Sequence, residues 1–524
     1  MDLIQRGKKE PINSMSELTS DKRYNSILKI IDEHLLPDID AKKQRGEVFT
    51  PPELVREMLF GLKKSALDKG EFKIWGLDDT GNFVDDKESD RIGGIPTKIW
   101  QNPTSTFLDP TNGIGNFPVI AFYKLDYELK KQPKFKDATK RKKHIIEKML
   151  YMIEIDKGNC QTCKAIFKKI CPAATPNMCC KDTLSLTDII LKSQFGINRF
   201  DVIMGNPPFQ LGGTKQSGKT IWNVFIIGDI RKKKEYIFPG SINLLNIDGY
   251  LTFVCPQGWR TPSYSEELDI MKSRDILLIN ILKSSHFEIN FPVDYFLLKN
   301  NKYNLNTTII NESLQLYEKV NIKDLPFISN YAWDIFQKWI DNNIKMMDIK
   351  STSTHNFSTK KDIFKPNKDV VFKYPIIKTL NSKGLDIGYS SLKHQDQDKI
   401  KVLIAFGSDL YPTIDNGIYG VSQNVYYILC NSLKDAKTIK AFLDNDKIKC
   451  IVNSLKISSY AVSNKLLSYL PDPTQFKYSL DKSLMLRPST NKIFNICKLK
   501  QSSTRKRTGG SGNILFNKTR KNKQ

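Results

Sequence analysis

The chain has no uninterrupted apolar run long enough to cross a bilayer, and its opening residues, MDLIQRGKKEPINS, contain no apolar signal core. These absences lead us to expect an intracellular protein without membrane contact, in a bacterial cytoplasm or, for a viral source, in a host compartment. Cysteine is not abundant: nine in 524 residues is ordinary usage, and a reducing compartment is expected to keep them as thiols. Acidic residues are scarce, 56 against 81 Lys and Arg, which leaves a net charge of +25. Such an excess points to a polyanionic partner, because cations that neutralise phosphates release condensed counterions. A Lys-rich proteome is the plainer source of the same charge, since the chain is also rich in Asn and Ile, as AT-biased genomes encode. No internal repeat is visible.

Texture along the chain divides it into four stretches. Residues 1–45 are polar and basic, with one amphipathic helix expected near 24–36. Residues 46–300 alternate short apolar runs (TSTFLDP, YMIEID, FDVIMGNPPF, YLTFVCP, DYFLLKN) with helical patterns, which predicts a mostly parallel α/β sheet. A strongly basic stretch, 126–148, is expected as a solvated helix and loop inserted between the first two strands. Residues 301–497 turn Asn- and Lys-rich, with short β-like runs such as KVLIAF and GVSQNVYYILC. Residues 498–524 read as a disordered basic tail with a GGSG core.

Three strand ends carry candidate ligand groups. In FLDPTNGIGNF an apolar run ends at Asp109, and Gly113 and Gly115 would let backbone come close to a ligand without a Cβ clash. In MIEID, Glu154 and Asp156 stand at the next strand tip, where a carboxylate can accept from both ribose hydroxyls. In CKD, Asp182 could receive an adenine amino group. Each of these alone is also an ordinary turn or solvated strand end.

The segment FDVIMGNPPF says more. An exocyclic amine on an aromatic ring is a poor nucleophile, because its lone pair is delocalised into the ring. The side-chain oxygen of Asn206 and the carbonyl of Pro207 can both accept from such an amine, pulling its nitrogen toward tetrahedral geometry and freeing the lone pair for attack on a methyl sulfonium. Pro207 and Pro208 restrict the turn and hold the acceptors in place. Phe209 offers a flat face for an extruded base.

The order GEVFTPP, FLDPTNGIGNF, MIEID, CKD and GNPPF resembles the gamma-class adenine-N6 DNA methyltransferases of type II restriction–modification systems. The resemblance covers about residues 40–300. It implies a Rossmann-like class I methyltransferase fold with a C-terminal α+β target-recognition domain. It also implies S-adenosyl-L-methionine as cofactor, with Phe49, Thr50 and Pro51 capping it, and Asp109, Gly113, Gly115, Glu154, Asp156, Asp182 and Asn206 around it. Catalysis would fall to Asn206, Pro207, Pro208 and Phe209, and Phe287 and Phe291 compete for a second stacking role against the flipped base. The implied partner is double-stranded DNA, met by a monomer. A cognate restriction endonuclease fits the family but is not readable from the chain.

Other chemistries fit the sequence less well. GTKQSGKT, 213–220, matches the P-loop pattern, yet it follows a strand that already has a role; we read Lys215 and Lys219 as part of a basic loop over DNA. Cys160, Cys163, Cys171, Cys179 and Cys180 cluster in one segment, but the first two should face a sheet from a helix, so no metal is expected. No Pro-Cys pair provides the nucleophile setting of cytosine-C5 methyltransferases. About 45 residues before GEVFTPP, without a D…E-x-K cluster, leave no room there for a nuclease domain. RNA as substrate, a glutamine amide in a protein, and an inactive DNA-binding relative remain as alternatives.

Overall fold

The computed structural model describes residues 50–211, 219–230, 235–281, 287, 292–302, 306–357, 359–406, 409–457 and 462–475. The helix expected at 24–36, the basic tail, Phe49, Phe291 and Lys215 lie outside these residues, as do the first six residues of the P-loop-like segment. Among the described residues no helix is long and apolar enough to cross a membrane.

Each apolar run named above forms a strand. The five of residues 46–300 join four further strands, in chain order β1 (Phe107–Asp109), β2 (Leu150–Ile153), β3 (Asn177–Cys179), β4 (Phe200–Gly205), β5 (Leu245–Pro256), β6 (Asp275–Ile281), β7 (Val293–Lys299), β8 (Thr307–Asn311) and β9 (Leu316–Val320). They make one sheet in the order β9-β8-β6-β7-β5-β4-β1-β2-β3. Pairing is parallel from β3 through β5, and β7 runs antiparallel to both β5 and β6. Helix α1 (Pro52–Phe60) precedes β1, α2 (Asn116–Leu129) follows β1, and α3 (Lys157–Ile170) follows β2. This is the expected Rossmann-like, doubly wound α/β fold.

The strands are buried on both faces, as parallel sheets covered by helices must be. Val202, Ile203 and Met204 of β4 are fully buried, each burial contributing roughly 1.5–3 kcal/mol. Strand order reverses between β1 and β4, and in open α/β sheets ligands bind outside the carboxyl ends of the strands at this switch point. Asp109 and Gly205 end those two strands.

Contacts divide the chain into two compact units, one running through Trp259 and then Glu266–Lys323, the other made of Arg260–Ser265 and the chain from Asp324 onward. The sheet therefore continues past residue 300, where the change of texture suggested a boundary: β8 pairs parallel with β6, and β9 closes the edge. The second unit mixes helices with two small sheets. One contains β10 (Phe364–Lys365), β11 (Tyr374–Asn381), β12 (Gly384–Ser390) and β15 (Gly420–Val421) in the order β10-β12-β11-β15. The other contains β13 (Ile400–Ala405), β14 (Thr413–Asn416) and β16 (Val425–Leu429) in the order β14-β13-β16. A buried ion pair, Lys401 Nζ to Asp415 Oδ2 at 2.7 Å, lies inside the latter sheet. Lys401 also donates to the carbonyls of Asp396, Gln397 and Lys399, so the charge is fully solvated by protein.

Basic segment 126–148 is less solvated than expected. Residues Ala138–His144 form a helix, but Arg141 is buried, its Nε 2.7 Å from Asp126 Oδ1 and its Nη1 donating to the Phe135 carbonyl.

The cysteines need a correction. Cys160 and Cys180 are joined as a disulfide rather than standing as thiols. The first turn of α3 and the end of β3 bring their Cα atoms to 6.3 Å, within the usual span of such a bond. Cys163 is buried on the same helix, 3.7 Å from Met152 Sδ, and burial pushes its thiol up to about 12. Among the described residues, no group of three or more His, Cys, Asp or Glu side chains could hold a metal ion.

Candidate functional site

Strand β1 delivers Asp109 to the switch point almost without solvent contact, at 1% exposure. Burial pushes its carboxyl well above the ordinary carboxylate range and the neighbouring Glu154 charge adds to the rise, while the Thr111 N–H, donating to Oδ1 at 3.0 Å, opposes it. The chain then turns through Gly113 (φ 56°) and Gly115 (φ 105°), a left-handed path that favours glycine, and enters α2. At Gly115 the missing side chain serves the protein itself: a Cβ there would stand 2.8 Å from Cys163 Sγ, so the glycine lets α3 pack against the loop.

Glu154 ties the loop to β2. Its Oε2 accepts from Gly113 N at 2.7 Å and its Oε1 from Asp156 N at 2.8 Å. Asp156 is occupied as the N-cap of α3, accepting from Asn159 N at 2.9 Å. Asp182 caps a single turn, Thr183–Ser185, by accepting from Leu184 N at 3.0 Å, and its side chain is exposed. Next to it, Thr183 Oγ1 donates to the Pro110 carbonyl at 2.5 Å, tying the end of β3 to the same loop.

Thr50 reaches the site from far away in sequence. It is buried, and its carbonyl accepts from Asn116 Nδ2 at 2.8 Å, directly at the start of α2. Pro51 then starts α1. The hydroxyls of Thr50 and Thr111 and the side-chain oxygen of Asn116 are buried and take no hydrogen bond among the described residues. Three such atoms at one loop are unusual, because buried polar atoms are nearly always paired.

Strand β4 brings the Asn-Pro-Pro-Phe turn to this loop. A Cβ on Gly205 would lie 2.9 Å from Asp109 Oδ1 and 3.2 Å from Thr111 Oγ1, so backbone meets carboxylate with nothing between. Asn206 and Pro208 are half-buried and Pro207 is buried. Phe209 is 9% exposed, and its carbonyl accepts from Ile221 N at 3.2 Å. After the turn, Gln210–Leu211 pairs antiparallel with Lys219–Thr220. The Lys-Thr that would open a helix in a P-loop is thus in a strand. Phe287 is buried at 9% exposure.

Pattern reading passed over Ile155. Between two acids in MIEID, it is 57% exposed at the tip of β2, an apolar face beside Glu154. The signal was its register: in a strand leaving the sheet, an apolar residue flanked by carboxylates has no core to enter.

Residues 119–288 match the family model described as Eco57I restriction-modification methylase. An uncharacterized adenine-specific methylase of Mycoplasma pneumoniae is 24% identical to this chain over 445 residues, a match covering 69% of this chain and 92% of the relative. Two solved structures share the fold at 12% identity, each with a TM-score of 0.50. The Type IIL restriction-modification enzyme MmeI, in complex with DNA, matches over 94% of this chain and 74% of its own. A nuclease-deletion mutant of the Type ISP restriction-modification enzyme LlaGI, with a DNA substrate mimic, matches over 87% of this chain and 55% of its own.

Proposed function

We propose that the chain transfers a methyl group from S-adenosyl-L-methionine to the N6 amino group of an adenine flipped out of duplex DNA. The observation that carries this reading is the abutment of Gly205 on Asp109, which sets the Asn-Pro-Pro-Phe turn against the glycine loop at the switch point. The net charge of +25 and the family match agree with a nucleic-acid substrate.

Residues at the loop fit the cofactor's chemistry. Asp109, Glu154 and Asp182 stand at three neighbouring strand ends, the unpaired oxygens of Thr50, Thr111 and Asn116 face the same loop, and Ile155 adds an exposed apolar face. The bound cofactor supplies an electrophilic methyl group on sulfonium. Asn206 would accept a hydrogen bond from one amino N–H through its side-chain oxygen and Pro207 from the other through its carbonyl; when the methyl carbon leaves sulfur for nitrogen, the neutral thioether departs and the surplus N–H proton passes to solvent. The amino nitrogen becomes more tetrahedral and its lone pair turns toward the methyl carbon. Because the prolines fix both acceptors, little reorganisation is left for the transfer itself. Phe209 stacks on the extruded base, with Phe287 as the candidate for a second stacking contact.

Asn206→Ala tests the assignment. Methyl incorporation into plasmid DNA should fall by at least about 10²-fold, the usual cost of losing one preorganised polar group at a reacting centre. Cofactor affinity, measured by calorimetry, should stay within about threefold. Residual transfer within about tenfold of wild type would remove Asn206 from the chemistry.

A further inference from the structure

Loop 366–373 of the second unit joins β10 to β11 and carries two valines into solvent. Val370 is 93% exposed and Val371 61%. Turn tips ordinarily hold Gly, Asn, Asp or Ser, and single exposed apolar residues need no explanation. Here two adjacent β-branched residues are held out by a turn built to hold them. Asp369 Oδ1 accepts from Val371 N at 2.8 Å and from Phe372 N at 2.6 Å, and Asp369 N donates to the Phe372 carbonyl at 3.2 Å. Asp369 Oδ2 pairs with Lys365 Nζ at 2.9 Å, and that ammonium lies 4.5 Å from the centre of the Phe372 ring. The valines thus sit on a preformed scaffold and lose little freedom on meeting a partner.

The surroundings say what the partner is. Residues 357–393 contain eight Lys against three Asp and no Glu. Lys368 and Lys373 flank the valines and are themselves exposed. A protein or membrane partner would select a broader apolar face; an apolar tip two residues wide between cations suits a groove walled by phosphates. We infer that this loop probes the major groove of duplex DNA, with Val370 and Val371 against thymine C5 methyl groups and Lys368 and Lys373 on the phosphates beside them. The inference rests on the proposed DNA methylation and assigns part of its sequence preference to one loop.

The test uses the full chain and two amplification products of one plasmid, made with either dTTP or dUTP, so that they differ only in the thymine methyl. Tritiated methyl incorporation is measured on each. Wild type should prefer the thymine product by about fourfold for each methyl covered. Val370→Ser/Val371→Ser should reduce that preference to within about twofold, with an unchanged melting temperature. Lys368→Gln/Lys373→Gln should weaken binding of both products equally and lower the salt dependence. Equal use of both products by wild type, or a valine variant that keeps the full thymine preference, overturns the assignment of this loop while leaving DNA methylation standing. If wild type methylates neither product, the underlying reading fails instead.

Discussion

Substituting Gly115 with Ala isolates the packing that shapes the glycine loop. Two costs are expected. An L-residue at φ 105° is strained by roughly 1–3 kcal/mol, and the new Cβ would stand 2.8 Å from Cys163 Sγ, an overlap costing about 1–3 kcal/mol more. The second cost can be removed without touching the first. In a Cys163→Ala background the sulfur is gone, and the nearest remaining atoms, Cys163 Cβ at 3.7 Å and Val119 Cγ2 at 3.8 Å, are at ordinary contact distance. Gly115→Ala should therefore lower the local stability of α2 by about 2–6 kcal/mol in the parent and by only about 1–3 kcal/mol in the Cys163→Ala chain. Hydrogen–deuterium exchange of peptides spanning β1 and α2 reads these opening energies directly. Equal losses in both backgrounds would show that the thiol is not what the glycine accommodates.

Further tests address the carboxylates and the turn. Asp109 has its folded pKa raised above the unfolded value, so its ionisation in the folded state is disfavoured. The resulting loss of stability is absent in acid and develops as pH rises above the unfolded carboxylate range, near 4. Asp109→Asn should therefore melt higher than wild type at pH 7, with the gap shrinking toward pH 4; a constant gap in thermal scans would contradict this. Glu154→Gln keeps one side-chain acceptor for the two amides of Gly113 and Asp156, so one amide is left unpaired at about 1–3 kcal/mol. Calorimetry should show cofactor affinity about tenfold or more weaker, and unchanged affinity would reduce Glu154 to a bystander. Gly205→Ala must displace either the Asn-Pro-Pro-Phe turn or the Asp109 carboxylate, because the new Cβ would stand 2.9 Å from Oδ1. The turnover rate should drop by at least about tenfold with near-normal DNA affinity.

Much of the fold was legible because its signals are local. FDVIMG is apolar, β-branched and stopped by Gly-Asn-Pro-Pro, so β4 could be placed within a residue or two. The glycine loop and the Asn-Pro-Pro-Phe turn were legible for the same reason, being contiguous chemistry at strand ends. What was hidden depends on distant partners. Nothing local announces that Thr50 will accept from Asn116, 66 residues on, or that Gly115 exists for Cys163. Strands β8 and β9, the last two at that end of the sheet, were lost in an Asn-rich texture because TTII and LYEKV are too short and polar to outweigh it. The Cys160–Cys180 bond was missed because it joins the end of one strand to the helix after another, a proximity only the completed sheet creates.

Gly205 and Asp109 end two neighbouring, hydrogen-bonded strands, so the separation of their backbones is set chiefly by the pairing of β1 with β4. The spacing between methyl donor and acceptor would then be a property of the sheet itself, as invariant as the pitch between hydrogen-bonded strands. Evolution could rewrite which bases are read, loop by loop, without ever having to retune the transfer step.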